Sequence, residues 1–242
     1  SAPPVGDLTL CQNSSNTSYT INSVANAILY EWAISPVNAG VITGTSTTGT
    51  VDWDESFSGT AYISARGVNG LCNGDFSDNL SVTILQGPAA IISASGSTTF
   101  CSGDFVTLNA NTGASLFYQW QKDGVNINGE TSSAYVATLS GNYAVIVTDM
   151  NVCPTNSNTI TITINPVPAA NITIAGPTTF CQGQATQLSV NTGTGYTYQW
   201  IKDGVVLTGA VNSLYMVTQQ GEYATIVTNS YSCPTTSSVV AI

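Results

Sequence analysis

The chain has 242 residues, enough for one large domain or two to three small ones. Thirteen Asp and Glu face only Arg66, Lys122 and Lys202, so the sequence lacks the clustered cations that hold nucleic-acid phosphates or anionic lipid. Histidine is absent, which excludes a Ser-His-carboxylate triad.

Hydrophobic residues reach 43%, rich in Val, Ile, Thr and Tyr, so the chain can bury a core despite its 7% of charged residues. No stretch approaches the ~18 apolar residues of a membrane-spanning helix. Ser1-Ala2-Pro3-Pro4 has neither the basic nor the apolar region of a signal peptide, which implies a removed signal or an excerpt of a longer protein.

In chain order, the first segment carries Cys11, the triplet Tyr30-Glu31-Trp32, an acidic cluster of Asp52, Asp54 and Glu55, and Cys72. Gln86-Gly87-Pro88 reads as a short, semi-rigid linker. Short β-rich runs then alternate with turn signals: Phe105 to Ala110, Leu116 to Gln121, Ala134 to Ala137, Tyr143 to Thr148 and Ile160 to Ile164. Lys122-Asp123-Gly124 predicts a tight hairpin, because Asp-Gly supplies positive φ. A second proline-bearing linker follows at Asn165-Pro166-Val167-Pro168. No window sustains a 3.6-residue apolar period, so helices are not expected.

The rest of the chain repeats this pattern. Displaced by 80 residues, 93–162 and 173–242 share 32 identities in 70 positions without a gap. Thr98-Thr99-Phe100-Cys101 meets Thr178-Thr179-Phe180-Cys181, Tyr118-Gln119-Trp120 meets Tyr198-Gln199-Trp200, and Cys153-Pro154-Thr155 meets Cys233-Pro234-Thr235. The reading is all-β: three tandem immunoglobulin-like antiparallel sandwiches at 1–87, 88–166 and 167–242.

Two landmarks carry the immunoglobulin-like topology. Trp120 and Trp200 lie 12 residues after Leu108 and Leu188, where a core tryptophan belongs, and Trp32 takes the same role in the first segment. Gly141-x-Tyr143 and Gly221-x-Tyr223 predict tyrosine corners. Val145 and Thr225 are expected to point inward, Thr225 being the misfit.

Six cysteines, two per segment, sit outside the strands that carry them in antibodies, and they allow fifteen pairings. The duplication favours Cys101–Cys153 and Cys181–Cys233, leaving Cys11–Cys72. Each bond would close a loop of roughly 50–60 residues, worth about 4 kcal/mol in the chain-entropy account, and would require an oxidising compartment.

Cys-x-Gly, Tyr-x-Trp, Lys-Asp-Gly, Gly-x-Tyr and the late Cys-Pro resemble the Ig-like domains repeated in surface and secreted proteins of Bacteroidetes. The first segment resembles the PKD-like domain that accompanies them, through Trp32, Pro36, Ala39-Gly40, Val51-Asp52-Trp53, Phe57-Ser58-Gly59, Ala61-Tyr62-Ile63-Ser64 and Ser77-Asp78. The resemblance implies an extracellular location, often reached by type IX secretion, and roles in adhesins, gliding-motility proteins or multidomain hydrolases. It brings no catalytic residue.

The expected chemistry is correspondingly sparse. Asp52 and Asp54 are expected on one strand face flanking Trp53; with Glu55 they form a weak calcium candidate, and otherwise no metal or cofactor is expected. Matches to the N-glycosylation pattern at Asn13, Asn16, Asn79 and Asn171 are what an Asn/Ser/Thr-rich chain gives by chance. The leading function is a non-catalytic stalk, spacer or filament module. The alternative is an accessory module holding polysaccharide or protein, with Tyr19, Tyr62, Tyr196 and Tyr231 as candidate contacts. Tyr196 and Tyr231 align with Leu116 and Asn151, so no repeated aromatic strip is present, which favours the spacer. Self-association through edge strands completes the expected partners; nucleic acid and direct membrane insertion do not figure among them.

Overall fold

The computed structural model describes residues 2–70 and 72–242. It is all-β, with immunoglobulin-like sandwiches in tandem and one short 3-10 turn, Val37–Ala39. The chain divides into two compact units: Ser1–Ser93, Asn109–Tyr135 and Tyr143–Thr159 in one, Ala94–Leu108, Val136–Asn142 and Ile160–Ile242 in the other. The second repeat contributes to both.

The first segment folds as strands β1 (Thr9–Cys11), β2 (Thr17–Thr20), β3 (Leu29–Ser35), β4 (Gly40–Thr43), β5 (Thr48–Trp53), β6 (Gly59–Val68) and β7 (Leu80–Leu85). One sheet has the order β1-β7-β6-β3 and the other β2-β5-β4. Period-two alternation explains the face each residue takes: in β5, Val51 and Trp53 are buried while Asp52 between them is exposed. The core joins Tyr19, Ala39, Val51, Trp53, Ala61, Ile63, Val82 and Ile84. Trp32 packs against this core, half-buried, and its indole N–H donates to the Ser46 carbonyl at 3.1 Å. Edge strand β1 runs parallel to β7, which sets Cys11 opposite Leu85, the last residue before the linker.

The second repeat comprises β8 (Ile92–Ala94), β9 (Thr99–Cys101), β10 (Val106–Ala110), β11 (Phe117–Lys122), β12 (Val125–Asn126), β13 (Ala134–Ala137), β14 (Gly141–Thr148), β15 (Pro154–Asn156) and β16 (Ile160–Asn165). In the first unit, β11 pairs with β12 and β14, and β14 with β15, all antiparallel. Asp123 and Gly124 both take positive φ, as a tight hairpin between β11 and β12 requires. In the second unit, β9 runs parallel to β16 and sets Cys101 opposite Asn165, repeating the Cys11–Leu85 arrangement.

The third repeat lies wholly in the second unit. Strands β17 (Ile172–Ile174), β18 (Thr186–Val190) and β21 (Leu214–Val217) form one sheet. The other has the order β20 (Val205–Val206), β19 (Thr197–Lys202), β22 (Glu222–Thr228) and β23 (Pro234–Thr236), with β24 (Val240–Ala241) also on β22. Two antiparallel sheets with crossovers between them are the immunoglobulin arrangement. Trp200, fully buried with Leu188, donates its indole N–H to the Asn212 carbonyl at 2.9 Å. The predicted tyrosine corner is present: the Tyr223 hydroxyl donates to the Gln219 carbonyl at 2.8 Å. Trp200, Tyr215 and Tyr223 pack in a column with ring centroids 5.6 and 5.9 Å apart, and Trp120, Tyr135 and Tyr143 repeat it at 5.6 and 5.5 Å. Burial raises the Tyr135 and Tyr223 hydroxyl pKa values, as expected for rings that serve the core.

Thr225 is resolved by its neighbours. It occupies the place of Val145, and its hydroxyl donates to the Gln199 carbonyl at 3.4 Å. Thr186, which replaces Val106, is less well served: its hydroxyl is buried without a partner.

Candidate functional site

The features that set this chain apart from isolated sandwiches are the joints between consecutive repeats. Cys11 is bonded to Cys153 and Cys101 to Cys233, at sequence separations of 142 and 132. Cys72 and Cys181 are free thiols. This corrects the expected Cys11–Cys72, Cys101–Cys153 and Cys181–Cys233 pairing: the early cysteine of one repeat binds the late cysteine of the next.

Strand direction supplies the reason. Cys11 lies at the Gly59 end of β6, because β1 pairs with the end of β7 and Ile84 of β7 faces Gly59. Cys72 lies beyond the other end of β6, where Val68 bridges Asn73. The ten residues of β6 span about 30 Å, far beyond the ~7 Å between Cα atoms that a disulfide tolerates. Early and late cysteines therefore occupy opposite poles of one sandwich. The early one lies beside the outgoing linker.

The late cysteines sit in a turn built by an Asx side chain. The Asp149 carboxylate accepts the amides of Asn151 (3.0 Å) and Cys153 (3.3 Å); the Asn229 side-chain oxygen accepts those of Tyr231 and Cys233, both at 3.0 Å. Val152 and Ser232, each preceding the cysteine, take positive φ of 63° and 62°. Both bonded late cysteines are buried.

The linkers are gripped by the same turns. A Cβ on Gly87 would collide with the Thr155 hydroxyl, so the linker approaches this closely only as glycine. At the second joint, the Asn229 side-chain N–H donates to the Pro166 carbonyl at 2.7 Å. Asp149, Asn229, Gly87 and Thr155 were not singled out from the sequence; the signal was the Asp/Asn four residues before each late cysteine of the duplicated pair.

The other sequence candidates are dispersed. Asp52 is exposed opposite Val41, while Asp54 lies past the end of β5, its carboxylate accepting the Ser56 amide at 2.8 Å and hydroxyl at 2.5 Å. Those Ser56 hydrogen bonds hold the Asp54 carboxyl below its usual pKa. Glu55 is exposed in the same turn. Among the described residues, no group of three or more acids or cysteines is arranged to hold a metal ion. Of the candidate tyrosines, Tyr19 is fully buried, which removes it from any binding surface, and Tyr196 packs over Gly193 against the third core. Tyr62 and Tyr231 are exposed. Arg66 pairs with Glu31 at 2.6 Å across β3 and β6 and covers the Phe76 ring at 4.7 Å. Lys122 and Lys202 pair with Asp123 and Asp203. Each cation therefore has a local partner.

Residues 3–82 match the family model of the PKD-like domain. That segment is the first sandwich, with Val51-Asp52-Trp53 on β5 and Ala61-Tyr62-Ile63-Ser64 on β6. No curated protein matches the chain. Among solved structures, the chain is similar to the full ectodomain (Ig1–Ig3) of mouse nectin-like molecule 4, at 10% identity and a TM-score of 0.39, covering 98% of this chain and 96% of that one. It is also similar to extracellular domains 3–5 of Drosophila OTK (13%, 0.38, covering 99% and 94%) and to titin domains I67–I69 (15%, 0.35, covering 100% and 98%). Among the described residues, no helix is long and apolar enough to cross a membrane.

Proposed function

We propose that the chain is a non-catalytic stalk segment of a cell-surface adhesin or motility-type protein, made of three sandwiches at 1–87, 88–166 and 167–242. The observation that carries this reading is the pair of disulfides joining each early cysteine to the late cysteine of the next repeat. A bond inside a sandwich stabilises that sandwich; a bond across a linker resists separation of consecutive repeats, which a spacer under tension needs. The grip on Gly87 and Pro166 serves the same end. Structural disulfides persist in oxidising compartments, which supports an extracellular location. The resemblance of the repeats to Ig-like domains of Bacteroidetes surface proteins supports export by the type IX route. Of the exposed tyrosines, Tyr231 falls where the second repeat has Asn151, which favours a spacer over a repeated binding face.

Limited digestion with a non-specific protease, read on reducing gels, tests the reading. The native chain should resist cleavage at 86–88 and 165–168, and the Cys11→Ser/Cys153→Ser variant should be cut at the first linker. Equal cutting of both at 86–88 would sink it.

A further inference from the structure

The two disulfides are crossed, neither nested nor consecutive. Along the chain the bonded cysteines run Cys11, Cys101, Cys153, Cys233, so each bond spans one end of the other. Three stretches of chain lie between them: 90 residues from Cys11 to Cys101, 52 from Cys101 to Cys153 and 80 from Cys153 to Cys233. A pull applied before Cys11 and after Cys233 is carried by the shortest covalent route. That route passes through the first bond to Cys153, runs back along the chain to Cys101, and leaves through the second bond to Cys233. Strands β10 to β14 of the second repeat lie on it. Strands β2 to β7 of the first repeat and β17 to β22 of the third lie off it.

We propose that the crossed pair is a redundant stop on extension, with the second repeat as its tensioned member. An extended chain spans at most ~3.6 Å per residue, so with every sandwich unfolded Cys11 and Cys233 could separate by about 190 Å, against about 800 Å without the bonds. The redundancy follows from the crossing. With the first bond open, the route runs 90 residues from Cys11 to Cys101 and over the second bond, about 320 Å. With the second open, it crosses the first bond and runs 80 residues from Cys153, about 290 Å. Losing one bond thus releases at most 38 residues, and losing both releases 170. Two consecutive bonds, each closing its own loop, would hold no such reserve, because their losses would add. The proposal deepens the stalk reading and rests on it. Linker cleavage tests that reading and stretching tests this one, so each can fail alone.

Optical tweezers, with handles enzymatically ligated to both ends of the full chain, measure the contour length once all three sandwiches have unfolded. Relative to the parent, Cys11→Ser/Cys153→Ser should be longer by about 140 Å and Cys101→Ser/Cys233→Ser by about 100 Å. The chain with all four substitutions, and the parent after dithiothreitol, should be longer by about 610 Å, more than twice the two gains together. Cys72→Ser should match the parent. The unfolded length does not depend on stability, so a destabilised variant still reports. Two gains that add up to that of the fully opened chain would overturn the proposal, as would a parent already as long as its reduced form. So would a Cys72→Ser chain about 220 Å longer than the parent, the 61 residues that a Cys11–Cys72 bond would hold.

Discussion

Replacing Cys11 and replacing Cys72 by serine should have very different consequences. Cys11 closes a loop of 142 residues with Cys153. In the chain-entropy account such a loop restricts the unfolded chain by about 5 kcal/mol, less any strain or residual unfolded structure. Marginal domains have about 5–15 kcal/mol in all, so the loss is a large share of it. Cys72 is exposed and unbonded, and its replacement should stay within about 0.5 kcal/mol of the parent. Guanidinium unfolding followed by tryptophan fluorescence reads both ends of the first joint, because Trp53 lies in the first core and Trp120 in the second repeat. Cys11→Ser should lower the midpoint of the fluorescence transition, since the bond restrains both partners. A Cys72→Ser variant as unstable as Cys11→Ser would refute the reasoning, because only a Cys11–Cys72 bond makes the two equivalent.

Three further outcomes follow from particular contacts. Gly87→Ala should weaken the first joint by about 1–3 kcal/mol through collision with the Thr155 hydroxyl, and Thr155→Ala should rescue it in the double variant, read as linker cleavage and thermal midpoint. Thr186→Val should stabilise the third repeat by about 1 kcal/mol, since it removes a buried, unpartnered hydroxyl and installs the side chain that Val106 already provides; urea titration measures it. The hydrogen bond from Lys202, then that from the Glu222 amide, holds the Asp203 carboxyl below its usual pKa, and the hydrogen bond to Asp203 raises the Lys202 ammonium above its own. The depressed Asp203 value makes its contribution complete above the ordinary carboxylate pKa and lost as pH falls through the lowered one. The raised Lys202 value makes its contribution complete below the ordinary ammonium pKa and lost as pH rises through the raised one. NMR titration of the Asp203 carboxyl should give a value below that of an unpaired aspartate, restored towards it by Lys202→Met.

Local features were legible from the sequence because their physics is local. Asp123-Gly124 carries its own turn, Gly221-x-Tyr223 its own corner, and Trp200 follows Leu188 at the spacing of adjacent core strands. Tyr19 reads as no more than a candidate contact from the sequence because β2 has only four residues, too few for its alternation to show that Tyr19 points inward between Ser18 and Thr20. The cysteine pairing was not legible for a deeper reason. Every repeat holds one early and one late cysteine, so counting cannot tell a bond within a repeat from a bond to the next. The choice is made by the parallel pairing of β1 with β7 and of β9 with β16, which carries the early cysteine to the far pole. The grip of Thr155 on Gly87 is likewise a contact between distant residues, with no trace in either neighbourhood.

The disulfide pairing itself can be read with trypsin alone. After the free thiols are blocked and the chain is denatured without reduction, cleavage at Arg66, Lys122 and Lys202 leaves 1–66 with Cys11, 67–122 with Cys72 and Cys101, 123–202 with Cys153 and Cys181, and 203–242 with Cys233. Bonds across the joints predict two separate species by mass, 1–66 joined to 123–202 and 67–122 joined to 203–242, with blocked thiols on Cys72 and Cys181. A single species holding all four peptides, with no blocked cysteine, would mean that each bond closes within its own repeat and would contradict the account.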